Sequence, residues 1–234
     1  MLDGTPWFGP AEWTAVRLSV RVAFWAMLTS LPLGIAVAWL LARRDFPGKQ
    51  VLNGLVHLPL ILPPVVTGYL LLLCFGPYGP LGRILEAYGL GLAFRWTGAS
   101  LAAAIMGFPL MVRSIRLSFE LVDPNLEQAA ATLGASPLWI FCSVTLPMAL
   151  PGVIAGAVLA FAKAMGEFGA TITFVANIPS ETQTLPSAIY SFLQVPDGET
   201  AALRLVLVSV AISFAALMVS EALNRRVSRA RGRA

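Results

Sequence analysis

The chain has 234 residues, of which 57% are apolar and only 12% are charged, and its mean hydropathy is +0.77. Water-soluble globular domains carry about twice that charged fraction, so the composition excludes a soluble fold. The net charge of +4 does not indicate a nucleic-acid partner, because the basic residues lie at the ends of apolar segments, where they set the orientation of membrane helices.

Long apolar stretches predict an all-α, polytopic membrane protein that forms one transmembrane domain over residues 1–234. A helix needs roughly 20 apolar residues to cross a bilayer core. Five stretches meet that length: Val22–Ala42, Val51–Phe75, Ala99–Leu121, Ala149–Phe174 and Ala201–Leu223. Prolines inside these spans predict bends, since proline leaves a carbonyl that neighbouring helices must satisfy.

The segments between the spans differ in character. Residues 76–98 contain one apolar face of a short amphipathic helix, and residues 175–200 repeat that helical spacing. Residues 122–147 are polar enough to leave the membrane but also have a helical pattern. Unusually long connections are more often functional than short ones, so this third segment is the main candidate for function.

The distribution of Lys and Arg predicts an N-terminus outside and a C-terminus in the cytoplasm. If residues 122–147 are cytoplasmic, ten Lys and Arg residues lie at or near the inner face and five lie outside, with Lys163 inside the membrane. Residues 224–234 then form a basic cytoplasmic tail that contacts lipid headgroups.

The candidate loop contains a short alanine-rich helix followed by a stop and a restart. Gly134 is a typical end of a helix, and Ser136 and Pro137 are typical of the start of the next one. We therefore predict two short helices that meet at a turn. The small side chains of Ala129 and Ala130 would let another protein approach the backbone closely.

This segment resembles the EAA loop of the permeases of ABC importers, whose pattern is Glu-Ala-Ala, three residues, Gly, and later an aliphatic residue, any residue, Leu and Pro. With Gly134 as the anchor, the family's Glu falls on Gln128, while the acid of this chain is Glu127. The resemblance implies a type I importer fold and an ATPase-coupling function for the following residues: Glu127, Gln128, Ala129, Ala130, Leu133, Gly134, Ala135, Ser136, Pro137, Leu146 and Pro147.

The resemblance also implies partners. In the family, the loop docks on a separate ATPase, so we expect a permease homodimer, two ATPase subunits and an outer oxyanion-binding protein, in the inner membrane of a bacterium. The sequence has no Gly-x-x-x-x-Gly-Lys-Ser/Thr phosphate-binding loop, so the chain is not expected to be an enzyme. It should bind no cofactor itself, with ATP and Mg²⁺ held by the partner ATPase.

Other stretches resemble the molybdate branch of these permeases: Gly107–Arg113, Asp123-Pro124, Gly166–Thr171, Asn177–Pro179 and Thr184–Tyr190. The resemblance implies transport of molybdate or its near twin tungstate. A sulfate or thiosulfate permease is the alternative, because sulfate permeases share much of the Gly-Glu-Phe-Gly region.

Lys163 and Glu167 are intramembrane charges four residues apart, hence on one helical face. Such charges usually face a cavity or a partner, so Lys163, Gly166, Glu167, Phe168 and Gly169 are candidate pathway or gate residues. The alternative is a salt bridge that only packs the helix.

Two functions of other classes are weaker interpretations. An intramembrane enzyme would need a nucleophile and a base or paired carboxylates, whereas the chain has one His and one intramembrane acid in different spans. A proton-coupled carrier would typically contain repeated spans, and no clear repeat is present.

Overall fold

The computed structural model describes residues 8–231, and in this part of the chain the regular structure is helical. Four helices are long and apolar enough to cross a membrane, and a bent pair of shorter helices gives a possible fifth span. The helices are α1 (Pro10–Arg43), α2 (Lys49–Ile61), α3 (Pro64–Phe75), α4 (Pro80–Ala87), α5 (Trp96–Glu120), α6 (Pro124–Thr132), α7 (Pro137–Ile140), α8 (Leu146–Met165), α9 (Gly169–Val175), α10 (Leu185–Phe192) and α11 (Glu199–Arg231). The predicted all-α, multi-span fold is confirmed.

The first span begins earlier than predicted. Helix α1 starts at Pro10, twelve residues before Val22, and its 34 residues extend over roughly 51 Å at 1.5 Å per residue. Hydropathy missed the first turns because they carry charges. Glu12 is nevertheless buried and forms an ion pair with Arg204 of α11, with 3.2 Å between Oε1 and Nε.

The second span is not one helix. The predicted stretch Val51–Phe75 contains α2 and α3, whose axes differ by 114° across Leu62 and Pro63. Two consecutive prolines cause this break, since neither Pro63 nor Pro64 can donate the backbone hydrogen bond that would continue α2.

The fourth span also differs from the predicted Ala149–Phe174. Its helix is continuous from Pro137 to Met165 and includes a π-helical segment at Phe141–Thr145. It ends at Met165, and the chain then breaks before α9. The expected pair of short loop helices is therefore half right, because α6 is separate whereas α7 is the first turn of the spanning helix.

The core lies where α1, α5 and α8 cross. Alanines occupy much of it, including Ala23, Ala26, Ala102 and Ala103, and small side chains let membrane helices approach closely. Gly152 and Gly156 of α8 bring that helix against the backbone of α5. The short helices α4 and α10 lie between the spans, as the amphipathic patterns predicted.

The predicted basic tail at 224–234 is described only in part. Helix α11 continues to Arg231, while the side chains from residue 223 onward and all of residues 232–234 lie outside the described residues.

Candidate functional site: the loop between α5 and α8

Capping interactions fix the two ends of α6. Asp123 is the N-cap, and its Oδ1 accepts a hydrogen bond from the Asn125 amide at 2.9 Å. At the other end Gly134 has a φ of +85°. The Gly134 amide donates to Ala131 and the Ala135 amide to Ala130, the pair of bonds that defines a Schellman C-cap. The predicted stop is thus confirmed at the atomic level.

The restart is fixed by the next two residues. Ser136 has an extended backbone and accepts a hydrogen bond from the Trp139 amide through its Oγ, at 3.3 Å. Pro137 follows at the first helical position, where its missing N–H costs nothing. Capping bonds on both sides therefore give the turn at residues 133–136 one defined shape.

The outer side of the loop is an exposed apolar surface. No residue of α6 or α7 is buried, and Leu133, Leu138 and Trp139 are 90%, 73% and 54% exposed. A groove of about 670 Å³ has this lining: Ala129, Ala130, Leu133, Gly134, Trp139 and Val144. Exposed apolar surface of this kind typically marks an interaction site.

Ala135 and Ser136 also line this groove, so six of the predicted coupling residues meet there. Gln128 is exposed on α6, and Pro137 is exposed as well. Leu146 and Pro147 belong to the first turn of α8 and are not part of the groove.

Glu127 points away from the groove. Its Oε1 accepts hydrogen bonds from Thr145 Oγ1 at 2.7 Å and from Arg43 Nη2 at 3.2 Å. The same Arg43 nitrogen donates to the Val122 carbonyl at 2.9 Å. We call the side chains of Arg43, Glu127 and Thr145 the Glu127 clasp.

Sequence reasoning missed two members of the clasp. Arg43 is one of the basic residues at the end of the first span, and Thr145 stands at the unspecified position of the aliphatic-x-Leu-Pro pattern. The signal that could have drawn attention to Arg43 is its place at the end of a span directly facing a loop that contains an acid. Tertiary structure was required to pair residues 84 positions apart.

Lys163 and Glu167 form an ion pair at the end of α8. Lys163 Nζ lies 3.0 Å from Glu167 Oε2, and their side chains are 31% and 2% exposed. Glu167 Oε1 accepts a hydrogen bond from the Ala170 amide at 3.0 Å. The carboxylate therefore bridges the break between α8 and α9, and this geometry supports the structural alternative to a gate.

Gly169 fixes the other side of this break. A Cβ on Gly169 would lie 2.7 Å from Pro64 Cβ, and a Cβ on Gly68 would lie 2.5 Å from the Ala170 carbonyl oxygen. Helices α3 and α9 thus meet at glycine contacts. Phe168 packs on Tyr190 of α10 at a ring-centroid distance of 5.4 Å. The five predicted residues are together, and a pathway function for them stays a prediction.

At the opposite end of α1 from the loop, a second cavity of about 640 Å³ lies between α1 and the start of α5. Its lining includes Arg21 and Arg95, and the Arg21 guanidinium lies 3.7 Å from the centroid of the Trp96 ring. Within residues 8–231, no group of three or more metal-ligating side chains is present.

Comparison of the sequence with known proteins identifies the family of this chain. The family model for the inner membrane component of binding-protein-dependent transport systems matches residues 30–229. The chain is 57% identical to the molybdenum transport system permease protein ModB of Escherichia coli K12, over 94% of this chain and 96% of that protein. A probable sulfate transport system permease protein of Anthoceros angustus is more distant, at 31% identity over 90% of this chain and 73% of that protein.

A solved structure supports the fold alone. A bacterial alginate ABC transporter, in complex with a periplasmic protein that binds an alginate pentasaccharide, superposes with a TM-score of 0.74 at 15% identity, over 94% of this chain and 80% of that one. The chain therefore belongs to the family of binding-protein-dependent transport system inner membrane components, the multi-pass permease subunits of ABC importers.

Proposed function

We propose that this chain is the permease subunit of a molybdate importer, that two copies form the pathway, and that two ATPase subunits dock on the groove at residues 129–144. Two observations carry the docking proposal: the turn between α6 and α7 exposes apolar side chains, and no residue of either helix is buried. A helix with no buried face of its own needs a partner surface to gain stability from apolar burial.

Substrate identity rests on the relatives. Similarity to the molybdenum permease extends over nearly the whole of both chains, while the sulfate permease is less similar. Molybdate, with tungstate as its analogue, is therefore the proposed substrate, and sulfate is the second candidate. Both are tetrahedral dianions, so competition between them is the decisive measurement.

The orientation and the dimer belong to the same proposal. Arg43, Arg44 and Lys49 lie at the loop end of the molecule, as a cytoplasmic position for that end requires. Exposed apolar side chains of α3, including Val65, Tyr69 and Leu73, provide a face for lipid or a second copy. A soluble oxyanion-binding protein would then approach the opposite end, near α4 and α10.

The test is uptake of labelled molybdate at nanomolar concentration by cells with and without this gene. We expect loss of high-affinity uptake in the deletion strain, and competition by tungstate but not by a large excess of sulfate. Strong competition by sulfate would reassign the substrate. Uptake that persists when ATP is depleted but a proton gradient is kept would instead identify a proton-coupled carrier.

Docking is tested with Leu133→Asp, which puts a charge at the centre of the groove without touching the core. Asp45→Asn is a matched control, because Asp45 is also exposed near the same end of α1. We expect the purified permease to lose its ATPase subunits in the first variant and to keep them in the second. Retention of the ATPase by Leu133→Asp would refute the docking surface.

A further inference from the structure

The side of α6 that faces the protein is attached through a charged side chain rather than through apolar packing. Helix α6 has no buried residue. Its Glu127 nevertheless reaches Thr145, which is 2% exposed, and Arg43, whose side chain is 16% exposed. Hydrogen bonds to a charged group are about twice as strong as neutral ones. The Glu127 clasp is therefore a polar restraint that ties α6 to two of the spans.

The clasp joins three different elements at one carboxylate oxygen. Arg43 lies in the last turn of α1, Glu127 in the first turn of α6, and Thr145 at the end of the π-helical segment that leads into α8. One turn before Arg43 and one turn before Thr145, Trp39 and Phe141 pack against each other at a ring-centroid distance of 5.9 Å, and Phe119 packs on Phe141 at 6.2 Å. The clasp is attached to a firmly packed part of the bundle.

Helix α1 extends this connection to the far end of the molecule. Its 34 residues end at Arg43 on one side. Near the other end, Glu12 pairs with Arg204 of α11 at 3.2 Å, and the hydroxyl of Ser19 accepts a hydrogen bond from the Leu185 amide of α10 at 2.6 Å. Helix α1 is continuous although Pro32 lies inside it, so polar contacts near its two ends are joined by one unbroken helix.

We infer that the Glu127 clasp is a positioning device that transmits displacement of α6 to α1, and through α1 to α10 and α11. The inference rests on the proposed docking of an ATPase at the groove, and it assigns Glu127 a role distinct from docking. The acid of the loop faces its own chain, and the ATPase contacts the opposite, apolar side of the loop. A continuous helix held at both ends can carry a displacement from one end of the molecule to the other in a two-state conformational change.

The clasp separates assembly from coupling, and this separation gives the test. The full importer, with its ATPase and binding protein, is reconstituted in proteoliposomes with Glu127→Gln, Thr145→Val or Arg43→Gln in the permease. We expect each variant to retain its ATPase subunits and to hydrolyse ATP. The number of substrate ions transported per ATP should fall about tenfold for Glu127→Gln, the size expected when a hydrogen bond to a charged group is weakened, and less for Thr145→Val.

A double variant gives a second readout, because two residues that act independently would have additive effects on transport per ATP. Since Arg43 and Glu127 contact each other, the double variant should transport about as much per ATP as the worse single variant. Glu120→Gln is the matched control. It removes a carboxylate from an exposed pair with Arg116, at 2.7 Å, close in sequence to the loop, and transport per ATP should not change.

Three results would overturn the inference. The first is normal transport per ATP by Glu127→Gln. The second is loss of the ATPase subunits by Glu127→Gln while Arg43→Gln and Thr145→Val are normal, because the acid would then contact the ATPase. The third is a fall in the amount of folded permease for Glu127→Gln together with unchanged transport per ATP for Thr145→Val, which would make the clasp a stability element only. Failure of the docking proposal itself would appear separately, as retention of the ATPase by Leu133→Asp.

Discussion

The contact between α5 and α8 depends on Gly152, and replacing it with alanine should loosen the bundle. A Cβ at residue 152 would lie 2.2 Å from the Cβ and 2.7 Å from the Oγ of Ser118, and 3.0 Å from the Ser114 carbonyl oxygen. Ordinary contacts between carbon atoms are about 3.5–4.0 Å. The two helices would have to separate by roughly 1.5 Å, and overpacking of this kind costs about 1–3 kcal/mol.

The assay is thermal unfolding of the purified permease, with heating rate and detergent held constant because membrane proteins often unfold irreversibly. Gly54→Ala is the matched control, since a Cβ at residue 54 of α2 would meet nothing within 4 Å. We expect Gly152→Ala to unfold at a lower temperature than the parent, and Gly54→Ala to unfold at the same temperature or slightly higher, because alanine stabilises a helix relative to glycine.

A compensating variant makes the prediction specific to this contact. Ser118→Gly removes both atoms of Ser118 that a Cβ at residue 152 would meet, so the pair Gly152→Ala with Ser118→Gly should recover part of the lost stability. Equal stability of Gly152→Ala and the parent would refute the packing argument. A double variant less stable than both single variants would show that the cost arises elsewhere on α8.

Three further predictions concern the turn at Gly134, the break between α8 and α9, and the exposed ion pair of Asp45 and Lys49. Gly134→Ala should weaken ATPase binding in a pull-down by about 1–2 kcal/mol, and Gly134→Asn should weaken it by less, because a positive φ strains alanine more than asparagine. A Cβ at residue 134 would meet no atom within 4 Å, so backbone strain and not a clash causes the effect. Equal binding by both variants would contradict this. Glu167→Gln should lower stability by about 1–3 kcal/mol, measured by thermal unfolding, because it weakens the bonds to Lys163 and Ala170; lost uptake at unchanged stability would instead support a gate. The hydrogen bond and the charge of Lys49 lower the pKa of the Asp45 carboxyl group below its usual value. The ion pair is therefore complete at neutral pH and is lost only as the pH falls through that lowered pKa. Below that pKa, Asp45→Asn should match the parent in unfolding temperature, and a difference that persists there would refute the assignment.

Local patterns in the sequence were sufficient for the class of fold and for the shape of the turn at residues 133–136. Apolar runs located the spans to within a few residues at most ends, because a bilayer demands a minimum length of apolar helix. The stop at Gly134 and the restart at Ser136 and Pro137 were readable, since capping depends on neighbouring residues alone. Hydropathy failed at the start of α1, because that part of the helix contains Glu12, whose charge is paired with Arg204 far along the chain.

Hydropathy cannot distinguish a straight span from a broken one. The stretch Val51–Phe75 is apolar throughout, and the 114° angle between α2 and α3 arises from the missing donors of two adjacent prolines and from packing of α3 on α9. In the fourth span, the glycines at 166 and 169 permitted a break beside the charges, but only the structure showed that α8 ends at Met165 and that the Ala170 amide of α9 donates to Glu167 across the break.

By itself the sequence determined that the chain is a helical membrane protein, where its long polar loop lies and how that loop turns. Those features follow from composition, period and short-range capping, which involve residues close together in the chain. Only the tertiary structure decided that Glu127 faces Arg43 and Thr145 instead of the groove, and that Glu12 is buried against Arg204. Pairs separated by many residues form because the helices cross where small side chains permit close approach, and that crossing is a property of the packed bundle rather than of any one segment.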